Sequence, residues 1–527
     1  MNVGAILESL EGGIQQGNRT LQAWLNRNKW VLGGVLLLAM GLYYPIFQQG
    51  LENLDSFCTA EPYWADLWEK IPYWETTQGR WALRLSDAIS DGMHPYFLTV
   101  LLASVFFLLG AVLLCDLLEV RSVWIRFAAS SLLVCSQYVM NIQTYRYCST
   151  AYAVSFFLAI WAVWLARRTS KVGVPAGIVC LMISLALYQC SLGVAAVVCL
   201  FVLYKTMLQQ GAFDSQCRRL LGRLLLMGGV GALLYLVVLQ VLLKVYHVSL
   251  ADINGIDQVG VGVLAQLPQG IVQAYRDFVQ YFLGRDISQN YYSIRPVHAV
   301  LLMGAGLVWL YQLIRHRKNP TFLVGSFLCM LAVPVAANVT DIINPNTQIL
   351  LRMAGGMAVV PLFCLALLIQ GIQFRRGELQ KVGTLLLALV LLRGYMLQSN
   401  NDIQVLAADK TQAITLGNAI VAKLADQKEY QQGMPVAILG RPQVAESEYR
   451  NRSNTQIRYG IFWPDAENNW DAWKRLMDQE LGAQLSWCSY EQAEALWDNE
   501  AFRAMPGFPK EGSIAEIEGV LVVKVAG

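Results

Sequence analysis

Long apolar stretches alternate along this chain with short polar loops, and their length is that of membrane-spanning helices. Segments 30–47, 96–117, 125–141, 150–166, 174–189, 191–206, 221–245, 297–314, 321–338, 353–372 and 380–397 are expected to cross a bilayer, about eleven crossings of about 20 residues each. The turn at Tyr188–Ser191 is so tight that its two flanking segments form either full crossings or a tilted hairpin. Over 1–28, Val3, Ile6, Leu7, Leu10 and Ile14 recur at helical spacing, which predicts an amphipathic segment lying in the interface. No basic leader or small-residue cleavage site precedes Trp30, so the first span is read as retained.

Charge supplies the orientation. Arg121 and Arg126, Arg167, Arg168 and Lys171, Lys205, Arg218, Arg219 and Arg223, Arg315, Arg317 and Lys318, and Arg375, Arg376 and Lys381 all fall on one side of this threading. That side is expected to be cytoplasmic, together with the amino terminus. The opposite side receives the loops 49–95 and 247–296 and the region 398–527. The loops are rich in Trp, Tyr, Asp and Arg, a composition that favours function over a flexible linker. Region 398–527 reads as a small α/β domain, with helical patterns at 408–424 and 489–498 and strands at 434–439 and 519–525.

Composition agrees with a protein set in lipid: 527 residues, 55% hydrophobic and 15% charged. The net charge of +3 resides in loops beside spans, where it orients the chain and gives no case for nucleic acid. The eleven cysteines mostly sit in apolar segments as small hydrophobes; Cys58, Cys148 and Cys488 lie in segments placed outside, leaving one pairing among them open. Four histidines without ligand spacing give no zinc site.

Against this background a few polar residues need a reason. Asp55 follows the first span closely, where a carboxylate can take a proton from an acceptor hydroxyl or ligate a cation such as Mg or Mn; the plainer reading is a helix cap. Glu61, Asp66, Glu69 and Asp87 are rival carboxylates. Arg80 beside Trp81 suits a lipid phosphate at headgroup depth, or simple snorkelling. Arg146 lies between Tyr145 and Tyr147. Tyr188 and Gln189 can hydrogen-bond sugar hydroxyls or close a turn. Asp341, Asn344 and Arg352 bracket a loop at the end of a span, where charge is a functional candidate, and Arg352 is expected to pair with Asp341 or to hold phosphate. In the second long loop, Tyr292 and Arg295 suit a sugar ring and a phosphate, or an interfacial belt.

Asn53-Leu54-Asp55-Ser56, Gly79-Arg80-Trp81, Tyr188-Gln189 and the stretch from Asp341 to Arg352 stand in an order and spacing that resembles the bacterial type II O-antigen glucosyltransferases, multi-span enzymes of the C-type glycosyltransferase superfamily. The resemblance runs over 30–395. It implies transfer of a hexose, glucose foremost, from a polyprenyl-phosphate carrier to a lipid-linked or surface polysaccharide on the outer face of the bacterial cytoplasmic membrane. It names no certain cofactor and leaves a divalent cation, Mg or Mn, possible. Members often carry two adjacent acidic residues where this chain has Leu54-Asp55, so Asp55 would act alone or with Glu61. Arg80, Arg352 and Arg295 would then hold the donor phosphate, and Asn53, Trp81, Arg146, Tyr188, Gln189, Asp341, Asn344 and Tyr292 would contact sugar or acceptor. A polysaccharide or lipid flippase and a non-catalytic envelope scaffold are the competing classes; the clustering of polar residues at one face and the lack of an internal repeat count against the flippase.

Overall fold

The computed structural model describes residues 3–59, 73–83, 94–251, 263–371, 377–427, 433–443, 446–454, 457–458 and 460–525, and the side chains of most of these. Among them, eight helices are long and apolar enough to cross a bilayer: Asn18–Gln49, Tyr96–Leu117, Ser149–Arg167, Ser191–Gln210, Ser215–Val245, Ile294–Arg315, Pro320–Ala337 and Gly377–Ala425. A ninth crossing arises if Val123–Val134 and Gln137–Gln143, bent by 49° at their junction, count as one. The expected segments near 174–189 and 353–372 are shorter apolar helices, Gly173–Leu187 and Gly355–Gln370. At 1.5 Å per residue the first of these is only about 22 Å long, short of a bilayer core of about 30 Å. The chain is a polytopic helical membrane protein with eight or nine candidate spans among the described residues.

Two boundaries differ from expectation. Within the expected segment 1–28, the described part from Val3 is no separate element: one helix runs from Val3 to Gln49, because no proline interrupts it before Pro45. At the other end the helix Gly377–Ala425 continues 49 residues through the last span and into the following region, so the helical pattern at 408–424 is its extension.

The two ends of the bundle carry different chemistry. At one end Asp116 accepts from Trp24 Nε1 (2.6 Å), Arg27 Nη2 (3.0 Å) and Arg126 Nη1 (2.7 Å), and Glu119 pairs with Lys205 (2.8 Å) and Arg167 (3.4 Å). The helix Tyr96–Leu117 carries Asp116 at this end and Tyr96 at the other, roughly 30 Å away. Between them the interior is apolar and aromatic, with Phe107 against Phe156 (5.2 Å between centroids) and Phe201 stacked on Phe363 (3.9 Å). Such packing, rather than hydrophobicity as such, selects helix partners within lipid.

Beyond the long helix lies a three-stranded sheet of order β1-β3-β2, with β1 Val436–Leu439, β2 Ile514–Ile517 and β3 Val520–Lys524. β1 runs parallel to β3, Val436 opposite Leu521, and β2 antiparallel to it, Ile514 opposite Val523. Trp473, Leu476 and Met477 cover one side of this sheet. Asp409 of the long helix pairs with the buried Arg450 through its two terminal guanidinium nitrogens, Nη1 and Nη2, which ties this unit to the helix that carries it.

Candidate functional site

The chain leaves its first long helix at Gly50 and turns at once into a six-residue helix, Leu54–Thr59, with Asp55 in its first turn. Asn53 fixes that turn. Its amide donates to Thr144 Oγ1 (2.8 Å), its backbone N–H to Thr144 O (3.1 Å), and its Oδ1 accepts from Ser56 N (3.0 Å). Glu52 is buried yet satisfied: it accepts from Ser56 Oγ (2.7 Å) and Tyr96 OH (2.8 Å) and lies 3.6 Å from Arg146 Nε. Arg146 lies over the Tyr96 ring at 4.4 Å and donates its own backbone N–H to Ser56 Oγ (3.0 Å).

From the other side the same short helix is held by the sheet-bearing unit. Phe57 is buried in that unit's core with Phe462 and Trp473, Arg475 Nη1 donates to Phe57 O (2.6 Å), and Lys410 bridges Gly50 O (3.0 Å) and Glu480 (3.1 Å). The residue two before Phe57 is Asp55. Its carboxylate therefore projects from a helix clamped between two bodies.

The bend after Val134 delivers the next participants. Ser136 caps Gln137–Gln143, accepting from Val139 N (3.3 Å), and the redirected helix ends at Thr144-Tyr145-Arg146. Tyr145 OH donates to Asp55 Oδ2 (3.3 Å) and accepts from Arg352 Nη1, whose guanidinium lies 3.6 Å from the same carboxylate oxygen. Tyr188 OH donates to Arg352 O (3.2 Å), and Tyr188 stacks on Tyr152 at 3.9 Å. Arg80 donates to Tyr152 OH (2.8 Å) and sits 5.5 Å from the Tyr188 ring. No carboxylate pairs with Arg80 among the described residues, and its Nε has no partner. A guanidinium whose side-chain partners among the described residues are phenols, in a partly buried place, is a ready receptor for an anion.

The loop presenting Arg80 is itself pinned. Gly79 has φ +77°, Gln189 Nε2 donates to Gln78 O (2.5 Å) and Tyr235 OH donates to Gly79 O (3.0 Å). Burial works against both arginine charges, but the phenols of Tyr152, Tyr147 and Tyr188 around Arg80, and those of Tyr145 and Tyr188 with Asp55 around Arg352, hold both pKa values above the ordinary arginine range. Burial, with Arg146 nearby, lowers His94 to about 4, so it is neutral at pH 7.

Asn53, Asp55, Arg80, Arg146, Tyr188, Gln189 and Arg352 thus converge, although Asn53 and Gln189 use their amides to fasten loops. Trp81 adjoins them, its indole N–H without a partner. Four candidates lie elsewhere. Asp341 does not pair with Arg352: it is fully buried against the helix Val263–Leu283 and faces Asp277, because the close approach at Gly270 seats its backbone there. Asn344 accepts from Asn346 N (3.1 Å) in the following turn. Tyr292 OH donates to Asn401 Oδ1 (3.0 Å), and Arg295 is exposed at the start of Ile294–Arg315. Glu61, Asp66, Glu69 and Asp87 lie outside the described residues. Cys148 and Cys488 are free thiols, so they do not form the pairing left open above.

Tyr152 escaped sequence reasoning as a site residue, since a tyrosine in an apolar run carries no local mark of its partner, and Tyr145, noted only as a flank of Arg146, carried no mark of its bonds to Asp55 and Arg352. Phe57 and Arg475 had no signal at all, being 418 positions apart in sequence.

A family model described as Glucosyl transferase GtrII matches residues 71–362, just over half of the 527-residue chain. The matched region holds Arg80, Arg146, Tyr188 and Arg352 and begins after Asp55. No curated protein and no solved structure matches the chain.

Proposed function

Since the chain belongs to the glucosyl transferase GtrII family, and is thereby a glycosyltransferase of a membrane-associated polysaccharide pathway, we propose that it moves a hexose, glucose foremost, from a polyprenyl-phosphate donor to a lipid-linked or surface polysaccharide. The single observation that carries this reading is the joining of Asp55, Tyr145 and Arg352 beside an Arg80 that has no carboxylate partner among the described residues. Arg80 and Arg352 hold the donor phosphate; both guanidiniums act where negative charge grows as the sugar–phosphate bond breaks. Asp55 takes the proton of the acceptor hydroxyl as its oxygen attacks the anomeric carbon. One C–O bond forms, one C–O bond breaks, polyprenyl phosphate leaves with the electron pair, and the anomeric centre inverts.

Arg126, Arg167 and Lys205, at the end of the bundle opposite Asp55, support an amino terminus in the cytoplasm and a site at the outer face of a bacterial cytoplasmic membrane. The carrier's tail then lies among the helices while its phosphate meets the two arginines.

The test is transfer of labelled sugar from polyprenyl-phosphate glucose and galactose by purified protein in lipid. Asp55→Asn is expected to lower turnover by about 10²- to 10⁴-fold while the protein stays folded, and Arg80→Ala to raise the KM for the donor. Activity that survives a chelator assigns Asp55 to the base role; activity that the chelator removes and Mg or Mn restores assigns it to a cation. A folded Asp55→Asn protein with normal transfer sinks the proposal.

A further inference from the structure

The sheet-bearing unit holds a second cleft that the transfer reaction does not use. It opens beyond the carboxyl ends of the parallel strands β1 and β3, at Leu439 and Lys524, which is where open α/β sheets bind ligands. Its volume is about 440 Å³, within the usual range for small-ligand sites. Two classes of side chain line it. Tyr490 and Trp497 supply accessible aromatic surface, backed by the buried rings of Trp470 and Phe502, and Glu467 and Glu494 supply carboxylates that make no ion pair among the described residues.

The aromatic groups are set at angles to one another: Trp470 and Tyr490 meet edge-on at 6.1 Å, and Trp497 and Phe502 edge-on at 5.1 Å. Tyr490 is half exposed, 51%. Trp470 is nine-tenths buried, and its indole N–H has no oxygen acceptor, its polar neighbour being the Cys488 thiol. The nearby cations are already engaged: Arg503 pairs with Asp498 (2.6 Å), Lys524 Nζ donates to Phe502 O (3.0 Å) and Arg503 O (2.9 Å), and Lys474 Nζ lies over the Trp470 ring at 5.2 Å. The cleft is therefore poor in free cations and unsuited to phosphate. Flat apolar faces beside unpaired carboxylates match the C–H faces and hydroxyl donors of a neutral pyranose.

We propose that this cleft binds the acceptor glycan, as a run of neutral hexose or deoxyhexose residues, and holds it near Asp55. Trp470 begins the helix Trp470–Arg475 and Arg475 ends it, donating to Phe57 O beside Asp55, so the cleft and the reacting carboxylate are joined by one helix about 8 Å long. An extended glycan that leaves the cleft along this helix would carry its next residues toward the transfer site. Binding raises the local concentration of acceptor hydroxyls there without adding to the chemical step. The acceptor assignment rests on the transferase reading above; the glycan site itself does not.

The experiment uses the full chain in lipid nanodiscs carrying Asp55→Asn, without donor, so that binding is read apart from transfer. Tryptophan emission is titrated with maltoheptaose and with mannan, galactan and rhamnan oligosaccharides of similar length. At least one is expected to give a saturable change, weakened about ten-fold or more by Tyr490→Ala and by Glu494→Gln. With Asp55 restored, Tyr490→Ala is expected to raise the KM for a polymeric acceptor while leaving kcat and the donor KM unchanged. Absence of saturation with every oligosaccharide, or an affinity that neither Tyr490→Ala nor Glu494→Gln lowers, overturns the site. Binding that persists while acceptor KM is unmoved overturns the acceptor role alone, and failure of all transfer in the unmutated protein strikes the reading above without touching the binding result.

Discussion

Gly79→Ala tests whether the loop geometry at Arg80 matters. A β-carbon built on Gly79 comes within 2.5 Å of Gln189 Nε2 and 2.6 Å of Tyr235 OH. Both atoms are ends of side chains and can swing away, but each donates to this same loop, to Gln78 O and Gly79 O, so moving them breaks the bonds that pin it. Each such bond contributes about 0.5–1.5 kcal/mol. The φ of +77° adds roughly 1–2 kcal/mol of strain for any residue with a β-carbon. The sum, about 2–5 kcal/mol, is met by relaxation of the turn, and the residue it displaces is Arg80. If even half of this appears as mispositioned phosphate contact, kcat/KM for the donor falls roughly 5- to 60-fold. The assay is steady-state transfer from polyprenyl-phosphate glucose beside a thermal-unfolding trace of the same preparation. Gly33→Ala, where a β-carbon meets nothing within 4 Å in a helix interior, serves as the control and is expected to leave donor kinetics unchanged and melting equal or slightly raised. A Gly79→Ala enzyme with unaltered donor kinetics and unaltered melting would refute the reasoning.

Tyr145→Phe keeps the ring and deletes the hydroxyl shared by Asp55 and Arg352; loss of a bond to charged partners, about 1.5–3 kcal/mol, predicts about a 10- to 150-fold fall in kcat/KM with the fold intact by circular dichroism. Asp341 is raised well above the ordinary carboxylate range by burial and by Asp277, so the folded state prefers its protonated form. Its contribution to stability is accordingly full at acid pH and falls as pH rises from about 3.9 towards the raised value; Asp341→Asn is expected to flatten that decline, seen as a melting temperature gained at pH 8 and little changed at pH 5. Asp116→Asn removes the charge shared by Trp24, Arg27 and Arg126 and leaves the Arg126 cation poorly compensated, a loss of about 3 kcal/mol measurable as a lower melting temperature, with donor KM unchanged because the cluster lies at the far end of the bundle.

How far the site was legible divides along a physical line. Whether a stretch of chain partitions into lipid depends on its own composition, so the positions of the helices and the basic side of the threading could be read locally; even there, length removed two short helices from the candidate spans. Asp55, Arg80, Arg146, Tyr188 and Arg352 stood out because a polar group beside an apolar run must be satisfied by something. What satisfies it is a different matter. Arg352 has Asp341 eleven positions before it and Asp55 nearly three hundred before it, and it pairs with the distant one, because the packing at Gly270 turns Asp341 towards Asp277.

The sequence by itself determined that this is a polytopic membrane protein with its notable polar residues gathered at one face, since the cost of placing charge in hydrocarbon acts residue by residue. Only the tertiary structure decided that Tyr145 lies between Asp55 and Arg352, that Arg80 is enclosed by tyrosines, and that the sheet-bearing unit grips Phe57 to hold the helix of Asp55. Those pairings join residues hundreds of positions apart, and they are selected by the shape of packed surfaces, which no short window of sequence contains.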